Sequence, residues 1–341
     1  MRDRPNIVLI MTDQQRADLC AREGYALDTM PFLDRLASQG TWFDRAYTVA
    51  PVCAPARVST LTGRYPSATR VRSNHNVEDA TYQADLIDVL RERGYTTAMV
   101  GKNHSHLTPE RVDHWFPLGH SGGRNQPGRT AEEQAFDAFL HHLNHRAHME
   151  ATPYPLECQG PYRAVSDATR WIDGLASQSS GCRPFFLWLS FAEPHNPYQV
   201  PEPYFSTFAV EALPPTLSDE RALADKGFKF QFTWELGHRG FPDYDRQRSR
   251  ARANYMGMLR LIDDQIARCV GFLEDRGLRQ TTILVFVADH GDFVGEYGLV
   301  RKGPEMPEVL MRIPMIWAGP GITANAAPHA AHVSLVDVMP T

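Results

Sequence analysis

The residues best suited to chemistry begin with Cys53, in the string P-V-C-A-P-A-R at residues 51–57. Pro55 fits the first turn of a helix and Gly63 fits its end, so Cys53 is predicted at a helix N-terminus. Free backbone N–H groups and the helix dipole favour an anion at that position. Arg57 lies one turn further on and can donate two hydrogen bonds to the same anion. The spacing therefore indicates an anion site, although a lone cysteine at a helix start is more often an ordinary buried residue.

Acidic residues directly follow two of the predicted strands. Asp13 comes after the predicted strand 6–12, and the string D-H-G-D at 289–292 comes after the predicted strand 281–288. Open α/β sheets bind ligands at the carboxyl ends of their strands, so the two groups can meet at one cation. Carboxylate oxygens suit calcium or magnesium, and an imidazole moves the preference towards manganese or zinc. Asp13 alone is equally compatible with a helix N-cap.

The elements that must position these residues are typical of an α/β fold, because short β-branched runs alternate with helical patterns. The run at 6–12 is apolar without alternation, as expected for a strand buried on both faces. The other predicted strands are 95–100, 185–191, 281–288 and 313–317. The predicted helices are 31–39, 84–93, 131–149, 162–178 and 250–276. Together they predict a large, mixed, mostly parallel sheet flanked by helices.

Two segments lack a regular pattern. Residues 103–130 are polar and contain several glycines and prolines, so a loop is predicted there. Residues 200–250 are irregular and rich in arginine and aromatic side chains. In an α/β enzyme such an insertion lies over the strand C-termini as a lid or substrate wall, or it forms a surface excursion with a small core of its own. Both interpretations fit the composition equally.

Composition excludes several classes of function. The 341 residues carry a net charge of −5, so the overall charge does not favour binding to nucleic acid or to an anionic membrane. Every apolar run is far shorter than a transmembrane helix, and no signal-peptide pattern is visible, so a cytoplasmic protein is predicted. The cysteines form neither a disulfide framework nor a C-x-x-C metal motif. They are Cys20, Cys53, Cys158, Cys182 and Cys269.

The string at 51–57, with T-G at 62–63, resembles the sulfatase signature C-x-P-x-R, whose cysteine is converted to Cα-formylglycine. Further strings resemble other motifs of the same family, in the family's order. They are N-I-V-L-I-M-T-D at 6–13, G-K-N-H at 101–104, P-H-N-P at 194–197, D-H-G at 289–291 and G-L-V-R-K at 298–302. The resemblance implies an alkaline-phosphatase-like catalytic domain over residues 1–341, with a smaller C-terminal subdomain expected beyond residue 341.

The resemblance also implies a divalent-cation site at Asp13, Asp289 and His290, completed by formylglycine at position 53. Gln14 is a further candidate ligand, at a position where many sulfatases have a second aspartate. His290 stands where many have asparagine. In both positions the chain is similar to the choline sulfatase and phosphonate monoester hydrolase branch of the superfamily. Calcium is the expected ion, with manganese and magnesium as alternatives.

The same resemblance implies a role for each remaining site residue. The formylglycine hydrate would attack sulfur in line, and His195, with Lys302, would assist the leaving alcohol as general acid. His104 would help the second hydrate hydroxyl to expel sulfate, and Asn74 would lie near the substrate anion. Cationic side chains would hold charge on the sulfate oxygens. They are Arg57, Lys102 and Lys302.

The expected function is therefore hydrolysis of a small-molecule or saccharide sulfate ester, with a formylglycine-generating enzyme as the maturation partner. Hydrolysis of a phosphonate monoester or a phosphodiester is the alternative, because the metal residues match that branch. The string G-K-N-H at 101–104 favours sulfate, since hydrolases of that branch tend to lack the lysine–histidine pair. A non-catalytic, sulfatase-like binding protein fits the intact set of site residues less well. A homo-oligomer is a further expectation.

Overall fold

A computed structural model of the chain describes residues 4–123, 126–176, 183–241, 243–303 and 305–341. Its strands are β1 (Asn6–Asp13), β2 (Thr41–Phe43), β3 (Ala46–Tyr47), β4 (Thr96–Gly101), β5 (His114–Pro117), β6 (Phe185–Pro194), β7 (Thr282–Ala288), β8 (Met315–Ala318) and β9 (Val333–Ser334). Its α-helices are α1 (Pro31–Ser38), α2 (Cys53–Thr62), α3 (Pro66–Thr69), α4 (Leu86–Glu92), α5 (Ala131–Leu143), α6 (Gly160–Ala176), α7 (Tyr204–Thr207), α8 (Phe228–Gly240), α9 (Tyr244–Asp275) and α10 (Glu308–Met311). Short 3₁₀ helices lie between several of these elements.

The central sheet has the strand order β2-β8-β7-β1-β6-β4-β5. Strands β7, β1, β6, β4 and β5 run parallel, and β8 runs antiparallel to both of its neighbours. In the middle of the sheet, Ile7 of β1 pairs with Phe186 of β6 and with Ile283 of β7. Strands β3 and β9 form a separate small sheet. The predicted α/β fold with a large, mixed, mostly parallel sheet is confirmed.

Alternate residues of β1 face two different layers of helices. Val8 and Ile10 pack in the core that includes α1, α6 and α9, whereas Leu9 and Met11 pack on the opposite face with α2 and α4. All four side chains are at most 1% exposed. Because both faces of the strand are covered, its sequence is apolar without alternation.

Four neighbouring strands end at residues that the sequence predicts to bind the cation or the substrate. β1 ends at Asp13, and β4, β6 and β7 are followed directly by Lys102, His195 and Asp289. These strands are parallel and adjacent in the order β7-β1-β6-β4, so their carboxyl ends meet at one edge of the sheet. The topology therefore brings together residues that lie up to 276 positions apart in the chain.

The long helix α9 fixes the turn that follows β1. The buried Tyr255 hydroxyl donates to the backbone oxygen of Gln14 at 2.7 Å and accepts from the backbone N–H of Arg16 at 3.0 Å. Gln14 adopts a positive φ of 68°, which is uncommon for a residue other than glycine. The two hydrogen bonds hold this turn, and with it the position of Asp13, against α9.

The predicted loop at 103–130 is wrong for four residues. His114–Pro117 form β5, the edge strand, which pairs with β4 alone. All four side chains are partly exposed, so the strand carries no buried apolar run. A strand this short is stabilised by its neighbour more than by its own composition, which is why its sequence pattern does not reveal it.

The insertion at 200–250 is more regular than predicted. It contains α7, α8 and the beginning of α9, which starts at Tyr244 rather than at residue 250. The helix predicted at 131–149 ends early, because Asn144 turns the backbone to a φ of 54°.

Two details of the sequence predictions lie outside the described residues, namely Cys182 and the last two residues of the helix predicted at 162–178. The cysteines that the structure describes are all free and buried. In the described part of the chain, every helix is too short or too polar to cross a membrane.

Gly101 allows β4 to approach β6 closely at the point where Lys102 leaves the sheet. Its φ is 104°, and a Cβ atom at this position would lie 1.8 Å from the backbone oxygen of Ser190. The same oxygen accepts the backbone N–H of Lys102 at 2.8 Å. A side chain at residue 101 would therefore strain the backbone and displace the residue that follows it.

We predict that Gly101→Ala lowers the free energy of unfolding by about 1–3 kcal/mol, because alanine must adopt a strained φ and push β6 away. Urea unfolding of the variant measures this loss. Gly174→Ala is the matched control, since Gly174 is an exposed helical residue with open space around it. That substitution should raise the same free energy by about 0.5–1 kcal/mol. Equal stability of Gly101→Ala and wild type would show that this close approach is unimportant.

Candidate active site

Cys53 is the first residue of α2, at the edge of the sheet where the four strands end. Its Sγ lies 3.3 Å from His290 Nε2 and 3.6 Å from Asp13 Oδ1. The side chain is 1% exposed, and burial raises the pKa of its thiol. The helix ends where Gly63 adopts a left-handed conformation, as the sequence predicts. The thiol therefore faces two groups that could bind a metal ion.

Four side chains of this cluster offer potential metal ligands. One ligand atom from each lies within 4.8 Å of the corresponding atoms of the others, and all four residues are buried. They are Asp13, Cys53, Asp289 and His290. Two carboxylates and an imidazole at this spacing fit a divalent cation such as calcium, manganese or magnesium.

Hydrogen bonding orients His290 for this purpose. Its Nδ1 lies 2.9 Å from the backbone oxygen of Gly291, and because a carbonyl can only accept, Nδ1 carries the proton. The lone pair of neutral His290 is then on Nε2, the atom that faces Cys53 and both aspartates. Burial lowers the pKa of His290 to about 3, so the ring is neutral and able to coordinate. An outer hydrogen bond of this kind is usual for histidine ligands of metals.

Arg57 joins the two carboxylates from the side of α2. Its Nε donates to Asp289 at 2.8 Å, and its Nη2 donates to Asp13 at 3.3 Å. Its Nη1 donates to the backbone oxygen of Lys102 and to Ser190 Oγ, at 2.8 and 2.7 Å. The guanidinium is completely buried, so these contacts replace all of its solvation by water.

Two lysines complete the positive side of the site. Lys102 contacts the Asp13 carboxylate and lies 2.8 Å from His120 Nε2, and burial holds its pKa well below the usual range. Lys302 donates to Gln14 Oε1 at 2.7 Å, and its charge opposes the rise that burial causes in the pKa of the Cys53 thiol. With Arg57, the site thus has three cationic groups beside two carboxylates.

The side-chain oxygen of Gln14 faces this site, and its side-chain nitrogen is held by Asp292. The amide nitrogen of Gln14 donates to Asp292 Oδ2, which also accepts the Tyr198 hydroxyl at 2.7 Å. The other carboxylate oxygen of Asp292 accepts two backbone N–H groups, from Val294 and Arg301, both at 2.8 Å. Four hydrogen bonds fix this buried carboxylate, and through it the direction in which the Gln14 oxygen points.

His195 stands at the end of β6 with one ring nitrogen engaged. Its Nδ1 lies 2.7 Å from the backbone oxygen of Asn196, so Nδ1 carries a proton and Nε2 is the atom free to exchange one. Burial holds the pKa of His195 well below its ordinary value. The ring also stacks on His120, with 3.7 Å between ring centroids.

His104 and Asn74 lie on two sides of the cluster. His104 lines a cavity of about 410 Å³ with Lys102 and the loop 117–123, and burial lowers its pKa to about 3. Asn74 Oδ1 accepts the backbone N–H of Ala54 at 3.0 Å, which places its amide beside the residue that follows Cys53. Every site residue predicted from the sequence therefore borders this cluster or the adjoining cavity.

Three neighbours of the site are not among the predicted site residues. Asp292 lies within the D-H-G-D string, so its position next to the metal motif could have indicated it. Ser190 lies inside β6, where a hydroxyl in an otherwise apolar run is the available signal. His120 lies in a segment without periodicity, and nothing in the sequence distinguishes it.

Comparison with known proteins decides the family. A sequence profile described as Sulfatase matches residues 5–341. The chain belongs to the sulfatase family. This sulfatase is 30% identical to an arylsulfatase of Clostridium perfringens, over 99% of the chain and 74% of the relative. It is 27% identical to a choline-sulfatase of Rhizobium meliloti, over 99% of the chain and 67% of the relative.

Solved structures show the same fold. A phosphonate monoester hydrolase of Agrobacterium radiobacter superposes with a TM-score of 0.78 at 21% identity, covering 99% of this chain and 73% of that chain. The chain is therefore a sulfatase enzyme with an alkaline-phosphatase-like fold, and the resemblance seen in its motifs is confirmed. Its family hydrolyses sulfate esters and in general uses a metal ion and formylglycine.

The Gln14–Asp292 contact gives a testable prediction. In Asp292→Asn the oxygen can keep the two backbone N–H groups, so the new amide nitrogen must face Gln14. Two donors cannot face each other, so the Gln14 amide turns over and presents its NH₂ group to Lys302. Loss of a hydrogen bond to an ammonium group costs about 1.5–3 kcal/mol, so kcat should fall roughly 10- to 100-fold.

Steady-state kinetics with a sulfate ester measures this loss, and thermal unfolding shows whether the fold is retained. Asp275→Asn, at an exposed position at the end of α9, is the matched control and should leave kcat unchanged. If Asp292→Asn turned over substrate at the wild-type rate, the fixed direction of Gln14 would not matter for the reaction.

Proposed function

We propose that this sulfatase hydrolyses a sulfate ester with a formylglycine nucleophile made from Cys53. The observation that carries the proposal is the position of Cys53, at a helix N-terminus with its Sγ beside Asp13, His290 and Lys302. When bound, a divalent cation would polarise the sulfate oxygens, and formylglycine would supply the attacking hydroxyl. All other parts of the reaction fall to side chains of this chain.

Maturation requires a partner, for which we propose a formylglycine-generating enzyme. Cys53 is 1% exposed, so its thiol is covered by the folded chain. Modification must therefore occur before α2 packs or while it is transiently displaced. Without that partner the protein would fold with an unmodified thiol.

We propose that the sulfate group is bound by three side chains, those of Arg57, Lys102 and Lys302. These cations surround the nucleophile position, and Arg57 and Lys102 are almost completely buried. In a site with little water, fixed positive groups stabilise the charge that develops on the equatorial oxygens. Asn74, whose amide lies next to Ala54, is placed to donate a further hydrogen bond to the same anion.

Proton transfer falls to two histidines in this proposal. His195 presents Nε2 to the site because its Nδ1 is engaged, and in the neutral ring Nε2 carries no proton. His195 would therefore pass to the leaving alcohol a proton that the neighbouring Lys302 ammonium supplies. His104 lines the cavity next to Lys102 and would take the proton when sulfate is expelled. Removing either proton transfer typically lowers a rate by roughly 10²- to 10⁴-fold.

The residues that would hold the cation are Asp13, Asp289 and His290, with the modified residue 53. The Gln14 oxygen, 2.7 Å from Lys302, is a further candidate ligand. The carboxylates suit calcium, which we propose as the ion, whereas the imidazole of His290 also fits manganese. Magnesium is compatible with the same carboxylates.

We propose that the described residues act as one catalytic domain in which residues 200–250 form a wall of the substrate cleft. Glu296, just after the D-H-G-D string, accepts the backbone N–H groups of Leu217 and Ser218 at 3.2 and 2.7 Å. These bonds tie the insertion to the loop behind the metal residues. A small-molecule or saccharide sulfate is the proposed substrate.

Phosphonate monoester or phosphodiester hydrolysis is the second candidate. His290 and Gln14 favour it, because both residues resemble that branch of the superfamily. Lys102 and His104 favour sulfate, since they place a cation and a proton acceptor in one cavity, with Lys102 in contact with Asp13. A binding protein without activity fits this site least well, because the nucleophile position, the cationic side chains and the proton-transfer histidines are all present in it.

The nucleophile can be tested by mass spectrometry of the peptide containing residue 53. In active protein from a host with the maturation enzyme, we expect the lower mass of formylglycine in place of cysteine. Cys53→Ala should reduce kcat at least roughly 10³-fold because the attacking oxygen is lost. Cys20→Ala, at another buried cysteine, should retain activity. Full activity with an unmodified cysteine at position 53 would refute the mechanism.

The substrate class can be tested by comparing kcat/KM for an aryl sulfate and for a phosphonate monoester with the same leaving group. We expect the sulfate to be hydrolysed faster, because Lys102 and His104 are both in place. The shared leaving group removes differences in alcohol reactivity, so the ratio reports the preference for the anion. Faster turnover of the phosphonate would assign the enzyme to the second candidate.

A further inference from the structure

His120 contacts two residues of the proposed reaction although it belongs to none of the sequence motifs. Its Nε2 lies 2.8 Å from Lys102 Nζ. Its ring stacks on that of His195, with 3.7 Å between centroids and an interplanar angle of 23°. It also lines the cavity that contains His104. No other described residue both bonds Lys102 and stacks on His195.

The backbone around His120 is fixed to the sheet. Gly119 and Gly122 exchange two backbone hydrogen bonds of 2.9 Å across the turn that contains it. The N–H of Leu118 donates to the oxygen of Gly101 at 2.9 Å, directly beside Lys102. The loop therefore fixes the backbone from which the imidazole projects relative to the end of β4.

This position restricts Lys102. The ammonium group contacts the Asp13 carboxylate on one side and His120 on the other. Ring nitrogens of His120 and His195 and an oxygen of Asp13 all lie within 4.8 Å of one another. The Lys102 ammonium contacts Asp13 and His120, which are two of these three groups. A metal ion bound by the three groups would therefore have to displace Lys102. His120 thus fixes a lysine rather than a second metal ion.

The same position restricts His195. The bond from its Nδ1 to the oxygen of Asn196 fixes one edge of the ring, but the ring can still tilt about that edge. A parallel ring 3.7 Å away blocks the tilt on one face. Burial holds the pKa of His120 well below its usual range, so a neutral ring faces His195 when the latter carries its proton. Two stacked cations would repel each other.

We propose that His120 is a positioning residue for sulfate ester hydrolysis, holding Lys102 by a hydrogen bond and the proton donor His195 by ring stacking. The inference rests on the proposed function, in which Lys102 binds the sulfate oxygens and His195 protonates the leaving alcohol. The two contacts should then have different kinetic consequences. Lys102 acts on the sulfate group of every substrate, whereas His195 matters most when the leaving alcohol is a poor leaving group.

The experiment measures kcat for two substrates, 4-nitrophenyl sulfate and a primary alkyl sulfate, with protein that carries formylglycine. His120→Ala removes both contacts, whereas His120→Phe keeps a flat ring against His195 and removes the bond to Lys102. His142→Ala, at an exposed position of α5, is the control. Formylglycine content and melting temperature are measured for each variant, so that a folding or maturation defect is recognised.

For His120→Phe we expect kcat to fall roughly 10-fold on both substrates, because only the bond to Lys102 is lost. For His120→Ala we expect a similar loss on the aryl sulfate and a further loss of roughly 10-fold or more on the alkyl sulfate. The control should match wild type on both. A merely structural role of His120 would lower kcat by the same factor on both substrates, so it would not produce this dependence on the leaving group.

Equal losses on the two substrates for His120→Ala would overturn the stacking role, and unchanged kcat in both variants would overturn the inference as a whole. If the wild-type protein with formylglycine hydrolysed neither sulfate ester, the proposed function itself would fail. That failure appears before any variant is compared, so it cannot be confused with a failure of the inference about His120.

Discussion

The structure of this sulfatase depends on the burial of two carboxylates, Asp13 and Asp289, at the ends of adjacent strands. Neither is exposed to water, and a buried charge costs several kcal/mol unless it is paired and hydrogen-bonded. Arg57 donates to both, and its remaining bonds reach Lys102, just after β4, and Ser190, inside β6. A single guanidinium therefore fixes α2, and with it Cys53, against four strands. The proposed nucleophile at residue 53 is positioned by the same contacts that compensate the burial of the two carboxylates.

Charge at this edge of the sheet also explains the kind of ligand that the site suits. Three basic side chains, those of Arg57, Lys102 and Lys302, face Asp13 and Asp289 in a buried place. A sulfate group would meet these basic side chains, and a divalent cation held by the two carboxylates would add positive charge beside them. The histidines add no further charge in the resting site, because burial lowers the pKa of both His290 and His104 to about 3. They are thus available as ligand and as proton acceptor.

The sequence predicts the residues of the site more completely than it predicts the structure of the segments around the site. β1 and β7 are covered on both faces, so their uninterrupted apolar runs mark them, and the first acidic residue after each run is a predicted site residue. The short edge strand β5 has no such pattern, because its stability comes from pairing with β4. For the same reason His120 could not be predicted, since its contacts depend on where the loop after β5 returns to the sheet. Asp292 acts through Gln14, a relation that only the folded arrangement reveals.

The most direct test of this account is a crystal structure of the active, matured enzyme with anomalous diffraction data for the bound cation. We expect one cation ligated by carboxylate oxygens of Asp13 and Asp289 and by His290 Nε2, with formylglycine at position 53 beside it. A cation bound at other residues, or an unmodified cysteine at position 53 in crystals of fully active protein, would contradict the account.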